Sequence, residues 1–287
     1  MRTVTFPLLA VLGLCGVTTA RAADLDYDYL RGAEYDPVPA PVQVIDWSGF
    51  YVGGHGGYTS AALGFKNALS PMVYQRSHNS TAEQDFAAST LLSPASKRVG
   101  SGSFGAYVGY NFQFDNVIFG IEGDYTNFGR MGYSENSISR SKTNSLGLLE
   151  TVDLYGSSAT RVNDYGTLRA RLGYAFENLM PFVTGGVAIG RARAADALLY
   201  SDSGFDVGAY NANQTGTKTY VNSFGATYYD RQSKTKVVAG AALGAGVEYA
   251  ITPNILLRAE YQYVLFNSFD GHKVNLNTVR AGAAVKF

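Results

Sequence analysis

The most constraining feature of this chain is an alternation that runs to its last residue. Val279, Ala281, Ala283, Val285 and Phe287 fall on one face at period two, with Arg280, Gly282 and Lys286 on the other. A helix would scatter that apolar set around its axis; a strand gathers it on one side. Chain ends are normally polar and frayed, and this one stops on an aromatic ring. An ordinary edge strand would account for the stretch taken alone. The same pattern recurs upstream, however. Phe104, Ala106, Val108, Tyr110, Phe112 and Phe114 alternate with small and polar residues. Phe119, Ile121 and Tyr125 oppose Glu122 and Asp124, while Leu168, Leu172, Tyr174 and Phe176 oppose Arg169 and Arg171.

Composition narrows the class. The 287 residues include 33 Gly and 21 Tyr, and charge balances at zero; mean hydropathy is −0.05. Thinly spread apolar residues suit one-faced strands and exclude a helical bundle. The balanced charge leaves no basic footprint for nucleic acid. At the N-terminus Arg2, the apolar run Phe6 to Val17 and Ala20-Arg21-Ala22 predict a cleavable signal peptide over residues 1–22. The run is too short to span a bilayer as a helix. The single cysteine, Cys15, lies inside it, and Leu14 stands where a lipoprotein signal wants a small residue. A mature chain from Ala23 would therefore have neither disulfides nor thiol chemistry. Residues 23–46, acidic, Tyr-rich and punctuated by Pro37, Pro39 and Pro41, read as an extended periplasmic leader.

Residues 47–287 divide into eight strands. The connections between them alternate: short at 115–116, 177–180 and 251–254, long at 60–100, 129–160 and 194–234, with a short fourth outer turn near Asp270-Gly271. That rhythm predicts an eight-stranded antiparallel transmembrane β-barrel with short periplasmic turns and three long extracellular loops, some extending as strand pairs. A soluble lipocalin-like barrel would instead turn its large apolar residues inward. Here the face opposite the apolar one is Gly, Ser, Thr, Asn, Arg and Glu, which suits a narrow polar lumen.

Trp47 to Tyr58 resembles the first strand of the small outer-membrane β-barrel family of α-proteobacteria, which includes the 25 and 31 kDa surface antigens of Brucella-type bacteria. Tyr27-Asp-Tyr-Leu-Arg-Gly32 and residues 165–176, 181–190 and 246–263 carry the resemblance further. Arg280, Gly282, Val285 and Phe287 resemble the C-terminal signal by which such barrels are recognised for insertion. The resemblance implies residence in the cell outer membrane, passage across the inner membrane and handling by the barrel-assembly machinery. It also implies contact with outer-membrane lipid and lipopolysaccharide, and a surface-antigen role. Some family members bind haem or host surfaces, but no loop residue here matches a binding motif.

The inward charges form the candidate site. Glu122, Asp124, Glu248 and Glu260 meet Arg169, Arg171, Arg258 and Arg280. Strand neighbours place 122/124 beside 169/171, 248 beside 258, and 260 beside 280, with Glu122, Arg171 and Glu260 at similar depth. A structural ion network filling the lumen is the expected role, since buried charges persist when paired. A conduit for small solutes is the alternative. His78-Asn-Ser80 resembles the His-x-Ser pair of outer-membrane lipid A deacylases, but a loop position and only Glu83 nearby argue against catalysis. His55 and His272 complete the histidines, and no metal or cofactor motif is visible. The Tyr-rich stretch Tyr200 to Tyr229 offers recognition of an extracellular ligand, because Tyr gives large contact area at low entropy cost. The expected function is a non-enzymatic envelope barrel with surface-antigen loops. The alternatives are a small-solute porin and, behind it, a haem-binding surface protein or a lipid A-modifying enzyme.

Overall fold

A computed structural model describes residues 45–212 and 222–287. The expected signal peptide and nearly all the leader lie outside them. Eight strands run β1 Gly49–Gly64, β2 Lys97–Phe114, β3 Val117–Thr143, β4 Leu149–Tyr174, β5 Leu179–Phe205, β6 Asn222–Thr252, β7 Ile255–Phe266 and β8 Lys273–Lys286. Each pairs antiparallel with the next, and β1 pairs with β8, closing the barrel. Closure matters because no backbone edge can be left unpaired in lipid. The last residue takes part: the Phe287 N–H donates to the Phe50 carbonyl at 2.9 Å. Gly282 is needed at this seam, because a Cβ there would stand 3.1 Å from the Cβ of His55 and press on the Gly54 carbonyl.

The connections at one end are tight. β2 turns into β3 through Asp115, at φ +50°, and Glu177, at φ +52°, lies in the turn between β4 and β5. At the other end the excursions are long, and two of the three are built largely as strand. β3 runs on to Thr143 and β4 begins at Leu149, leaving a turn of residues 144–148 inside the expected 129–160 loop. β5 and β6 likewise extend into the 194–234 segment. Strand pairs in the long loops are expected from the sequence, but how far they run is not legible there, because both their faces meet water or a covering loop. Their outward positions are Ser, Thr, Asp and Tyr in place of a continuous apolar row.

The result is a four-stranded sheet, β3 to β6, that continues beyond the rim where β7 and β8 stop pairing. Its inner face is covered by the 65–96 connection, which folds into helices α1 Ser70–Ser77 and α2 Thr81–Phe86 and a 3₁₀ turn Ala88–Thr90. Pro71 opens α1 in its first turn, where a missing N–H costs nothing. Leu69, Met72, Val73, Ala82 and Leu92 pack there against Val152, Leu154, Leu198 and Tyr200.

The faces fall as the alternation requires. Phe50, Val52, Phe104, Phe119, Ile121, Leu168, Val187 and Leu243 point outward and are exposed. Exposed apolar area of this extent would aggregate in water; against lipid it replaces a core. Inside, an apolar floor of Trp47, Tyr51, Tyr107, Ile118, Met180 and Leu256 closes the short-turn end. A second apolar layer, including Leu63, Phe65, Phe128, Val162, Phe266 and Leu276, closes the other. The charged residues lie between them along the strands.

Leu172 is 46% exposed on the outer face and Arg171 is buried on the inner one. Leu168, 59% exposed, lies near the middle of the same outward row, so Leu168→Arg is expected to destabilise the barrel by about 2–4 kcal/mol, and Leu172→Arg, close to the short-turn end, by less. Reversible urea unfolding from lipid vesicles measures it; an unchanged midpoint would mean the outward face does not meet lipid.

Candidate functional site in the barrel lumen

Register brings the charges together in pairs. Glu122 on β3 stands opposite Arg169 on β4. Glu248 on β6 stands opposite Arg258 on β7, and Glu260 on β7 opposite Arg280 on β8. The barrel is narrow enough for heads to reach across it as well. Arg169 is the hub. Its Nη2 lies 2.6 Å from Glu122 and 2.8 Å from Asp124, while its Nη1 bonds Glu260 from across the lumen. The same Nη1 donates to Thr184 Oγ1 at 2.9 Å. Arg280 closes the far side, with Nη2 2.9 Å from Glu260 and 3.2 Å from Asp124.

Arg258 and Arg171 form the second half. Arg258 Nη2 lies 2.6 Å from both Glu122 and Glu248. Arg171 Nη2 lies 2.6 Å from Glu248, against 3.7 Å from its Nη1 to Glu122. This corrects one expectation. Arg171 stands opposite Gly120 and takes Glu248 as its close partner, and the residue joining Glu122 to Glu260 is Arg169. Neighbouring strands are legible in a sequence; reach across a lumen is not.

All eight side chains are 0–2% exposed, so their neutralisation must be internal. The packing around them was not foreseen. Tyr51 donates its hydroxyl to Glu122 Oε2 at 2.8 Å. Phe182 lies 3.9 Å under the Arg171 guanidinium and Tyr107 lies 4.0 Å under that of Arg258. These cation–π contacts supply attraction without adding charge. Thr167 and Gln262 donate to Asp124 at 2.7 and 3.4 Å. Gly244 makes room for the hub, since a Cβ there would stand 2.8 Å from Glu260 Oε1 and 3.1 Å from Arg169 Nη1. The available signal was the inward parity of Tyr51 and Tyr107 in strands whose large residues otherwise face out.

The three histidines lie apart, each with its own partners. His55 receives Arg280 Nη1 at 3.3 Å inside the lumen. His272 sits between Thr160 at 2.7 Å and Asp196 at 3.1 Å. His78 ends α1, its Nδ1 3.1 Å from the Tyr74 carbonyl, while Ser80 donates to the Ser77 carbonyl. Glu83 accepts from Ser77 and Ser89, so it does not orient His78. Among the described residues no group of three or more His, Cys, Asp or Glu could hold a metal ion.

In the extension beyond the rim, Glu150 and Asp202 are buried on the inner face of the sheet. Asn144 donates to Glu150 at 2.9 Å, and Tyr200 to Asp202 at 3.1 Å. Burial, and then the charge of Glu150, push the Asp202 carboxyl up to about 6. The folded chain thus holds that proton more tightly than the unfolded one does. The contribution is full below the ordinary carboxyl range and is lost as pH rises through about 6. Protease sensitivity of the 65–96 connection should accordingly rise across that interval, and Asp202→Asn should flatten the rise.

Removing the hub tests the lumen. Arg169→Leu takes one partner from each of Glu122, Asp124 and Glu260, leaving the network one positive charge short, and should cost about 3–5 kcal/mol, the range for a broken buried pair. Adding Glu122→Gln should restore part of the loss. Arg171→Leu should couple more strongly to Glu248→Gln than to Glu122→Gln, and equal coupling would contradict the observed distances.

Comparison with known proteins agrees with this architecture. Residues 37–287 match the family described as outer membrane protein beta-barrel domain. The 31 kDa outer-membrane immunogenic protein of Brucella melitensis is 33% identical, covering 98% of each chain. The 25 kDa outer-membrane immunogenic protein of Brucella ovis is 28% identical, over 88% of this chain and 86% of the other. The crystal structure of Ail, the attachment invasion locus protein of Yersinia pestis, aligns with 84% of this chain and 99% of its own at TM-score 0.36 and 15% identity.

Proposed function

This chain belongs to the outer membrane protein beta-barrel domain family and resides in the outer membrane, and from that premise we propose that it is a non-enzymatic, non-conducting barrel for surface display. The observation that carries the proposal is a lumen filled along its length. An apolar layer lies at each end, with a neutral set of four carboxylates and four guanidiniums between them. A solute would have to break several buried ion pairs to pass, each costing several kcal/mol. The His78–Ser80 stretch supports no catalysis, because its acid is engaged elsewhere.

The display surface is the outer face of the β3–β6 extension. Tyr155 on β4 stands opposite Leu199 on β5, and Leu199 opposite Tyr229 on β6; Tyr133 lies nearby on β3 beside Ala159. These large side chains are exposed over a floor of small residues. Rigid rings on a strand scaffold are suited to recognition. The relatives named immunogenic favour the same reading, since such a face would be met by antibodies.

Reconstituted into planar bilayers, the purified protein should give no steady conductance above baseline; stable open steps would return the porin reading. Antiserum raised against intact cells should lose most of its binding to the Tyr133→Ala/Tyr155→Ala/Tyr229→Ala protein. Undiminished binding would place the display surface elsewhere.

A further inference from the structure

Just outside the apolar band, the outer face of β4 and β5 places two arginines directly opposite each other: Arg161 and Arg193 are register partners. Both are exposed and point away from the lumen, because Val162, Ala192 and Ala194 beside them are buried inside. Like charges at directly opposed positions destabilise an antiparallel pair. Among the described residues neither has an acidic partner. Arg193 gives its Nε to Ser233 Oγ at 3.0 Å, and the Arg161 side chain makes no hydrogen bond among the described residues. The carboxylate in the adjoining row, Asp164, is occupied by Arg191, whose Nε lies 2.9 Å away.

Height decides what the pair meets. A tilted strand advances roughly 2.5 Å per residue along the barrel axis. From Tyr174 to Asp164 on β4 the outward face therefore rises about 25 Å, the height of the apolar band of an outer-membrane barrel. Arg161 lies about 5 Å further out, past a register shift between Val162 and Asp164. Its head reaches back toward that boundary. The Cβ position of Gly129, at φ +62° in the irregular step of β3, is 4.0 Å from Arg161 Nη2 and 3.8 Å from Asn127 Oδ1. Two arginines opposed in register, one head lying toward β3 and the other toward β6, give outward-facing donors suited to phosphate oxygens at headgroup level.

We propose that Arg161 and Arg193 bind phosphate groups of the outer-leaflet glycolipid, which fixes the barrel's depth and relieves the repulsion between them. The proposal rests on the outer-membrane reading above. It also takes the long-connection end as the outward one, whereas the vesicle measurement below reads either orientation, because vesicles can carry the lipid in both leaflets.

The purified protein is refolded into phosphatidylcholine vesicles with and without bis-phosphorylated lipid A, and the urea midpoint is read. Lipid A should raise the midpoint of the unaltered chain. R161Q/R193Q should lose that increment, about fivefold in lipid preference for each arginine. R161K/R193K should keep part of it. R140Q, which changes a basic residue far out on β3, should keep all of it. Heat-dependent gel migration confirms that each variant is folded, which separates this question from the barrel reading itself. Should the double variant not fold, each single change to Gln is expected to lose about half. An undiminished increment in R161Q/R193Q, or an equal one from dephosphorylated lipid A, overturns the proposal. An increment reproduced by inorganic phosphate on plain phosphatidylcholine vesicles would make this a free-anion site and overturn the lipid source.

Discussion

Everything inside this barrel depends on how one guanidinium is shared. Arg169 touches carboxylates from β3 and from β7, on opposite sides of the lumen. Four acids and four bases then balance one another's charge with almost no exposure to solvent. Isolated, any of these charges would be costly to bury. Together they form a cross-brace, and the brace requires eight particular strands in one register. A slip of one residue would turn every inward charge toward lipid. The network therefore specifies the barrel as well as filling it. Its net stabilisation is modest beside its specificity, because buried pairs largely return the desolvation they incur.

The brace also explains the distribution of small residues. Wherever a charged head crosses the lumen, the facing strand presents glycine or a flat ring. Gly244 clears the space beside Arg169, and Phe182 and Tyr107 lie under Arg171 and Arg258. Aromatic rings inside a membrane barrel look misplaced on a purely hydrophobic view. They are the neutral surface against which two arginines can be stacked without a further anion.

Half of the barrel outgrows the other, and the asymmetry gives the protein a second sheet surface besides the lumen. β3 to β6 leave the membrane as a sheet whose inner face is sealed by α1, α2 and their flanking chain. The outer face is exposed. Along the strands its outward arginines Arg161 and Arg193 come below the tyrosines Tyr155 and Tyr229. One sheet thus meets hydrocarbon, headgroups and water in succession, and its outward residues change character with each solvent.

The alternation of large apolar with small or charged residues, continued to Phe287, was enough to determine the strand number, both faces and the closed barrel. Lipid imposes a strict period-two pattern, and turns such as Asp115-Asn116 interrupt it at regular points. The same parity pointed the eight charges of the lumen network inward. Three things only the tertiary structure decided. Which base serves which acid depends on reach across the lumen, so Arg171 belongs with Glu248 although Glu122 is closer in strand order. The continuation of β3 to Thr143 carried no apolar row to announce it, since its outer face meets water. The opposition of Arg161 and Arg193 hangs on a register shift at Val162. Sequence fixes which way a side chain points; only closure of the barrel fixes what it meets.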